Sequence, residues 1–379
     1  MALTDKLTAI GDAVRGKTGE SEKLTLDGMA EKIRSMPAPM QKIIISGKIS
    51  GLFSDKFVKL YNNVLKDYIE FKDVTQCMGL VPSLDYVDSG ESSYKDQNVE
   101  DLSNIIINFK ENAWTHSSNM FQNAKFLKKL PKLVNFQPNS LYHFFEHCEK
   151  LQEIPEDFYK DWDISNSASQ NVMLGNCYNL RKAPIGLLKK LQNVNYHAYY
   201  DCYSYVCFSN CYRLPEVLNF PFPKHMPSQT WANPFEQFVY NTYSLSRFTF
   251  EAEAADVVHK IYNSITLDFT ENVGYTNGYW PNGFYSDEHI VDAETYAKLK
   301  DNPESWTSKL EYCKYNKTSA VETINSLPVV QKASSTDDNA FIIKFKGDAG
   351  SATDGGAINT MTEEEIAVAT SRGWTVTLV

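Results

Sequence analysis

The apolar positions of this chain change period along its length. Leu3, Leu7, Ile10 and Val14 recur at alternating steps of four and three, which predicts an amphipathic helix with one apolar face. Gly16 and Gly19 end that helix, and Thr25 or Asp27 caps a second one carrying Leu26, Met29, Ile33 and Met36. Pro37-Ala38-Pro39 then breaks the chain as a linker. The isoleucine runs at 43–45 and 105–107 predict short strands, with a polar, loop-like stretch at 89–98 between them. Near the C-terminus, Val321, Ile324 and Leu327 predict a helix and residues 341–345 a strand. A further helix follows Thr362, with three glutamates at its positive end and Gly373 beyond its last turn.

Between residues 116 and 250 one template recurs five times: a large apolar residue, two polar ones, a small anchor, and a Leu three positions later. The copies begin at Phe121, Phe145, Leu174, Phe208 and Val239, and their anchors are Ala124, Cys148, Cys177, Cys211 and Thr242. A further apolar residue follows each Leu, at Leu130, Ile154, Ala183, Val217 and Phe248, and Pro131, Pro155 and Pro184 close the first three copies. Such a unit cannot bury its apolar face alone, so the copies are expected to stack around one continuous core. A turn or short helix would end at the anchor, where only a small side chain fits. The Leu-x-x-apolar element would enter a strand. Anchor spacings of 24, 29, 34 and 31 residues place the extra length in loops.

The template resembles the BspA-type leucine-rich repeat, Phe-x-x-Cys-x-x-Leu followed by Ile-Pro; Ala124 and Thr242 depart from its Cys. The closing Glu-Glu-Ile-Ala-x-Ala-Thr-x-x-Gly-Trp-Thr-Val block resembles the ending of such repeat proteins from bacteriophages of Gram-positive hosts. The opening Leu-Thr-Ala-Ile-Gly-Asp-Ala-Val-Arg-Gly-Lys-Thr-Gly, with Leu-Thr-Leu-Asp-Gly-Met-Ala-Glu-Lys-Ile after it, is similar to N-terminal modules of phage tail and baseplate proteins. The resemblances cover about half of the chain. They imply a virion component, such as a tail fibre, receptor-binding or capsid decoration protein. Bacterial surface adhesion and polysaccharide depolymerisation are the competing readings.

The expected fold class is therefore α+β: a short leucine-rich-repeat solenoid with a small helical N-terminal module and a C-terminal cap. Residues 1–36 form the attachment module, with Leu3, Leu7, Ile10 and Val14 as its helix face. Residues 37–115 connect, 116–250 hold the repeats, 251–320 an aromatic-rich insertion with an amphipathic stretch at Val257, Val258 and Ile261, and 321–379 the cap.

Composition narrows the partners. Of 379 residues, 37 are Lys or Arg and 47 Asp or Glu, a net charge of −10, so nucleic acid is not expected. No apolar run reaches the roughly 20 residues of a membrane span, so membrane insertion is not expected. The first residues lack the apolar core of a signal peptide, which implies synthesis in a host cytoplasm; a place in the virion is what the resemblance implies. Seven cysteines without short spacings predict free thiols. Expected partners are other virion proteins, a host-surface polysaccharide or protein, and further copies of the chain. No cofactor is expected.

Several motifs touch on chemistry. Gly11-Asp12-Ala13-Val14-Arg15-Gly16-Lys17-Thr18 matches a P-loop letter for letter, but it sits on helical periodicity with no strand before it. Cys202, Cys207 and Cys211 lack the tight pairing of zinc sites, and His143 and His147 lack a third ligand. Asp161 and Asp163 flank Trp162 without a cleft to place them. Lys125, Lys128, Lys129 and Lys132 form a local basic cluster, read as a solvated face or an anionic contact. No catalytic residues are assigned and a non-enzymatic role is expected. The best recognition candidates are Tyr275, Tyr279, Trp280, Phe284 and Tyr285, in a Gly/Asn/Pro frame; packing of that insertion is the alternative. A second cluster, Tyr196, Tyr199, Tyr200, Tyr203 and Tyr205, reads as packing, with surface recognition as the alternative.

Overall fold

The computed structural model describes residues 3–19, 25–35, 42–52, 61, 64–80, 99–165, 167, 172–192, 208–224, 235, 238–240, 242, 244–270, 315–335, 338–350 and 355–379. Among these, six α-helices combine with small, wholly parallel sheets, an α+β arrangement.

Helix α1, Leu3–Thr18, ends where Gly19 turns left-handed at φ 75° and its amide donates to the Arg15 carbonyl at 2.8 Å. Gly16 does not stop it. The P-loop-like stretch, residues 11–18, is helical throughout, so its amides bond within the helix and form no phosphate cradle. Helix α2, Leu26–Ser35, is capped by Thr25, whose hydroxyl accepts from the Gly28 amide at 3.1 Å. Ile10 and Val14 are buried with Met29, Ala30 and Ile33, and Leu7 is half-buried beside them. The two helices approach closely: a Cβ added at Gly11 would lie 3.5 Å from Met29 Cε. The side chain of Leu3 lies outside the described residues.

Strands β1 (Ile43–Ser50), β2 (Ile69–Met78), β3 (Ile106–Phe109) and β4 (Lys132–Val134) form one sheet in that order. The sheet runs across residue 115, so the connecting segment and the first repeat share a continuous ladder. Successive side chains alternate between faces. Phe71, Ile107 and Leu133 point into the core, in register with half-buried Ile45.

The strand expected after each Leu-x-x-apolar element forms in the first, fourth and fifth copies. These give β4, then β5 (Glu216–Phe220) paired with β6 (Arg247–Phe250). The second and third copies instead start helices, α3 at Glu156–Tyr159 and α4 at Ile185–Leu191. The cause is local. Pro155 and Pro184 occupy the N-cap positions, where a missing amide is harmless. Acidic Glu156 and Asp157 suit the α3 N-terminus, and Leu187, Leu188 and Leu191 give α4 one buried helical face.

The expected amphipathic stretch near 257 is a turn leading into β7 (His259–Ile261); Ile261 is buried while Val257 and Val258 are exposed. Strand β8 (Ile265–Asp268) pairs with β10 (Phe341–Phe345), which also pairs with β11 (Thr375–Leu378), and β7 pairs with β9 (Val330–Lys332). Helix α5, Lys317–Ser326, lies along β6. Helix α6, Glu363–Ser371, starts with a capping box between Thr362 and Glu365. Gly373 follows it at φ 88°, pressed so closely on the Val330 carbonyl that a side chain has no room.

Candidate interaction surface

The junctions between repeat copies are built the same way each time. The Cys148 thiol donates to the Phe121 carbonyl at 3.3 Å, Cys177 to Phe145 at 3.2 Å and Cys211 to Leu174 at 3.4 Å. Thr242 makes the same bond with its hydroxyl, to Phe208 at 3.1 Å. Each anchor thus reaches the leading residue of the copy before it. Ala124, first in the column, is buried and carries no donor. The thiols of Cys77, Cys148, Cys177 and Cys211 are buried, and burial, with Cys177 and Glu149 nearby, pushes the Cys148 thiol well up. Such thiols are poor nucleophiles and poor ligands.

Backbone bonds run the other way. The amides of Phe121, Phe145 and Phe208 donate to Phe144, Met173 and Phe238 in the following copy, at 2.8–2.9 Å. The residue before each of the first four anchors does likewise: Asn123 to Glu146, His147 to Gly175, Asn176 to Ser209 and Asn210 to Tyr240. Those four residues are left-handed, with φ between 59° and 63°. Asn tolerates that region best among residues with a side chain, which explains its recurrence here. Asn119, His143 and Val172, four residues earlier, repeat the conformation at φ 61°, 51° and 52°. The sequence reading treated these positions only as polar; the Asn before the anchor was the available signal.

The left-handed residues also form a side-chain column. Asn210 Nδ2 donates to Asn176 Oδ1 at 2.7 Å, and Asn176 Nδ2 to His147 Nε2 at 3.3 Å. Beside it, Asn119 donates to Gln122 at 2.5 Å, Gln122 to Glu146 at 2.6 Å, and His143 Nδ1 lies 2.5 Å from the same carboxylate oxygen. Burial alone would raise the Glu146 carboxyl. The His143 hydrogen bond, the two imidazoles and Gln122 outweigh it, and the group sits below the ordinary carboxylate range. His147 therefore serves in a copy-to-copy contact, and His143 holds the Glu146 carboxylate that Gln122 of the copy before also binds. Tyr178 and Tyr212 stack at 4.9 Å with their rings nearly parallel.

The basic cluster is largely paired. Lys125 binds Glu149 at 2.9 Å, Lys128 binds Glu100 at 2.8 Å and Lys129 binds Asp101 at 2.7 Å. Glu149 is only 1% exposed, so its lysine partner matters. Asp101 is held down to about 2: weak burial opposes the shift, and the bonds from Lys129 and Ser103 override it. Asp163 binds the Ser165 amide and hydroxyl, and Trp162 is buried against Phe136, Phe144 and Phe158. The sugar hint at residues 161–163 is thus a turn beside a packed indole. Cys202 and Cys207, the tyrosines at 196–205, and the recognition candidates Tyr275, Tyr279, Trp280, Phe284 and Tyr285 all lie outside the described residues.

The described surface offers one further feature. Ile44 pairs with Glu70, and Ile106 with Lys132. Phe71 pairs with Ile107, which puts Glu70 beside Ile106. The outward row across the first sheet therefore reads Ile44, Glu70, Ile106, Lys132. Ile44 is 59% and Ile106 54% exposed. Both isoleucines face outward in one row of the sheet, with Glu70 on the strand between them.

Compared with protein-family models, with curated proteins and with solved structures, the chain gives no match. Among the described residues, no helix is long and apolar enough to cross a membrane.

Proposed function

We propose that the chain is a non-enzymatic structural protein of a phage particle. In this reading it is a leucine-rich-repeat solenoid that attaches through residues 1–36, presents its flank to a host-surface or virion partner, and is present in more than one copy. The observation that carries the repeat part is the junction. Equivalent anchors in four successive copies each donate to the leading residue of the copy before. Units tied only to their neighbours build extended side surfaces, the usual basis of binding by repeat proteins. The phage part rests on the resemblance of the two ends, residues 7–19 and 364–376. Within it, Tyr275, Tyr279, Trp280, Phe284 and Tyr285 are the proposed receptor contacts. Ile10, Val14, Met29, Ala30 and Ile33 are buried across α1 and α2, which fits a helical attachment module.

Removing residues 1–36 tests the division of labour. The shortened chain should stay folded by circular dichroism and be absent from purified particles produced in its presence. Incorporation of the shortened chain at the full-length level would contradict it. Release of sugars from host wall polysaccharide incubated with the protein would favour a depolymerase instead.

A further inference from the structure

The outward row of the first sheet is complementary to itself, and we propose that it is the surface on which a second copy of this chain docks. This rests on the self-association proposed above and gives it a location.

Strands in a sheet are about 4.8 Å apart. Glu70 and Lys132 thus flank Ile106 symmetrically, one strand to either side, with roughly 10 Å between them. Now consider a two-fold axis parallel to the strands and lying above β3. It keeps strand direction and reverses strand order, which is how aligned sheets pack face to face. It sets Ile106 against Ile106 of the second copy. It sets Glu70 against Lys132 of the second copy, and Lys132 against Glu70 of the second copy. The two ion pairs and the isoleucine contact arise together from one operation. Asn108, the next outward residue of β3, meets its own counterpart, and the pair is neutral. A sheet separation of about 10 Å suits an opposed Glu and Lys, whose side chains together span that gap.

The charge pattern selects this partner. A row of Ile, Glu, Ile and Lys does not suit a purely apolar groove, because Glu70 and Lys132 would lose water without a counter-charge. The three positions Glu70, Ile106 and Lys132 suit the same three reversed, while Ile44 falls beyond the opposed strands. The patch is small. Three opposed strands at about 4.8 Å and four residues at about 3.3 Å cover on the order of 200 Å² per copy, against roughly 800 Å² in a standard interface. The contact should therefore be a concentration-dependent equilibrium, strengthened when copies are held near one another in a particle.

Sedimentation equilibrium of the full chain over a wide concentration range tests this. The wild type should pass from monomer to dimer. Glu70→Lys and Lys132→Glu should each weaken the dimer about tenfold or more, since each sets like charges opposite at both contacts. The double variant Glu70→Lys, Lys132→Glu should recover the dimer, which also shows that the single variants fold. Ile106→Asp should abolish it. A wild type that stays monomeric throughout overturns the surface and the self-association together. A dimer indifferent to the single changes, or not rescued by the double change, overturns this surface and leaves self-association standing.

Discussion

Cys177 shows how much one side chain does in this molecule. It is fully buried, and its thiol is the donor to the Phe145 carbonyl. Thr242 fills the equivalent place with a hydroxyl and the same bond, so the position requires a small side chain with a donor, not sulfur chemistry. Threonine and valine have nearly the same shape. Cys177→Thr should therefore be more stable than Cys177→Val by about 1 kcal/mol, the difference read from urea unfolding midpoints, because valine leaves the carbonyl unpaired. Equal stability would mean that the anchors act by size alone. Smallness was legible in the sequence at all five anchors. The donor requirement was not, because Ala124 satisfies the size pattern without it. The left-handed residue before each of the first four anchors was also missed, since backbone conformation leaves only a preference for Asn and His replaces it at 147.

At the scale of elements, helix α5 explains why the parallel β5–β6 pair can end where it does. An open strand edge exposes unpaired amides and carbonyls. Ser319 donates to the Ser246 carbonyl at 2.6 Å, Thr323 to Phe248 at 2.6 Å, and Ser326 accepts from the Phe250 amide at 3.0 Å. Hydroxyls at spacings of four and three advance about 6 and 4.5 Å along a helix, near the roughly 6.6 Å between alternate residues of a strand. Arg247 on the strand also binds Glu322 on the helix. Replacing all three hydroxyls, with Ser319→Ala, Thr323→Val and Ser326→Ala, should cost about 2–4 kcal/mol in thermal or denaturant unfolding. The loss of fewer than about 0.5 kcal/mol would show the edge to be satisfied otherwise. The sequence pattern located α5 through Val321, Ile324 and Leu327, but its hydroxyl stripe reads as ordinary surface until β6 is placed beside it. The same limit explains α3 and α4. A Pro after an apolar residue fits both a strand end and a helix start, and only the following residues decide.

For the whole molecule, pairing runs from one unit into the next. The first sheet crosses the boundary that composition suggests at residue 115, because β3 pairs with β2 on one side and β4 on the other. The template made the repeated turns legible, since equal spacing of Leu and anchor survives variable loops. Pairing partners were not legible, because parallel strands meet across long connections and leave no local turn signal. The recognition residues proposed from the insertion remain a separate matter from this framework. What the account depends on is that the copies are tied directly to one another through their turns. Native-state amide exchange measures this. The amides of Asn123, His147, Asn176 and Asn210 donate to the following copy. They should exchange as slowly as those bonded between β5 and β6, although none of them lies in a strand. Fast exchange at all four, as in open turns, with β5–β6 still protected, would contradict the stacked-copy account.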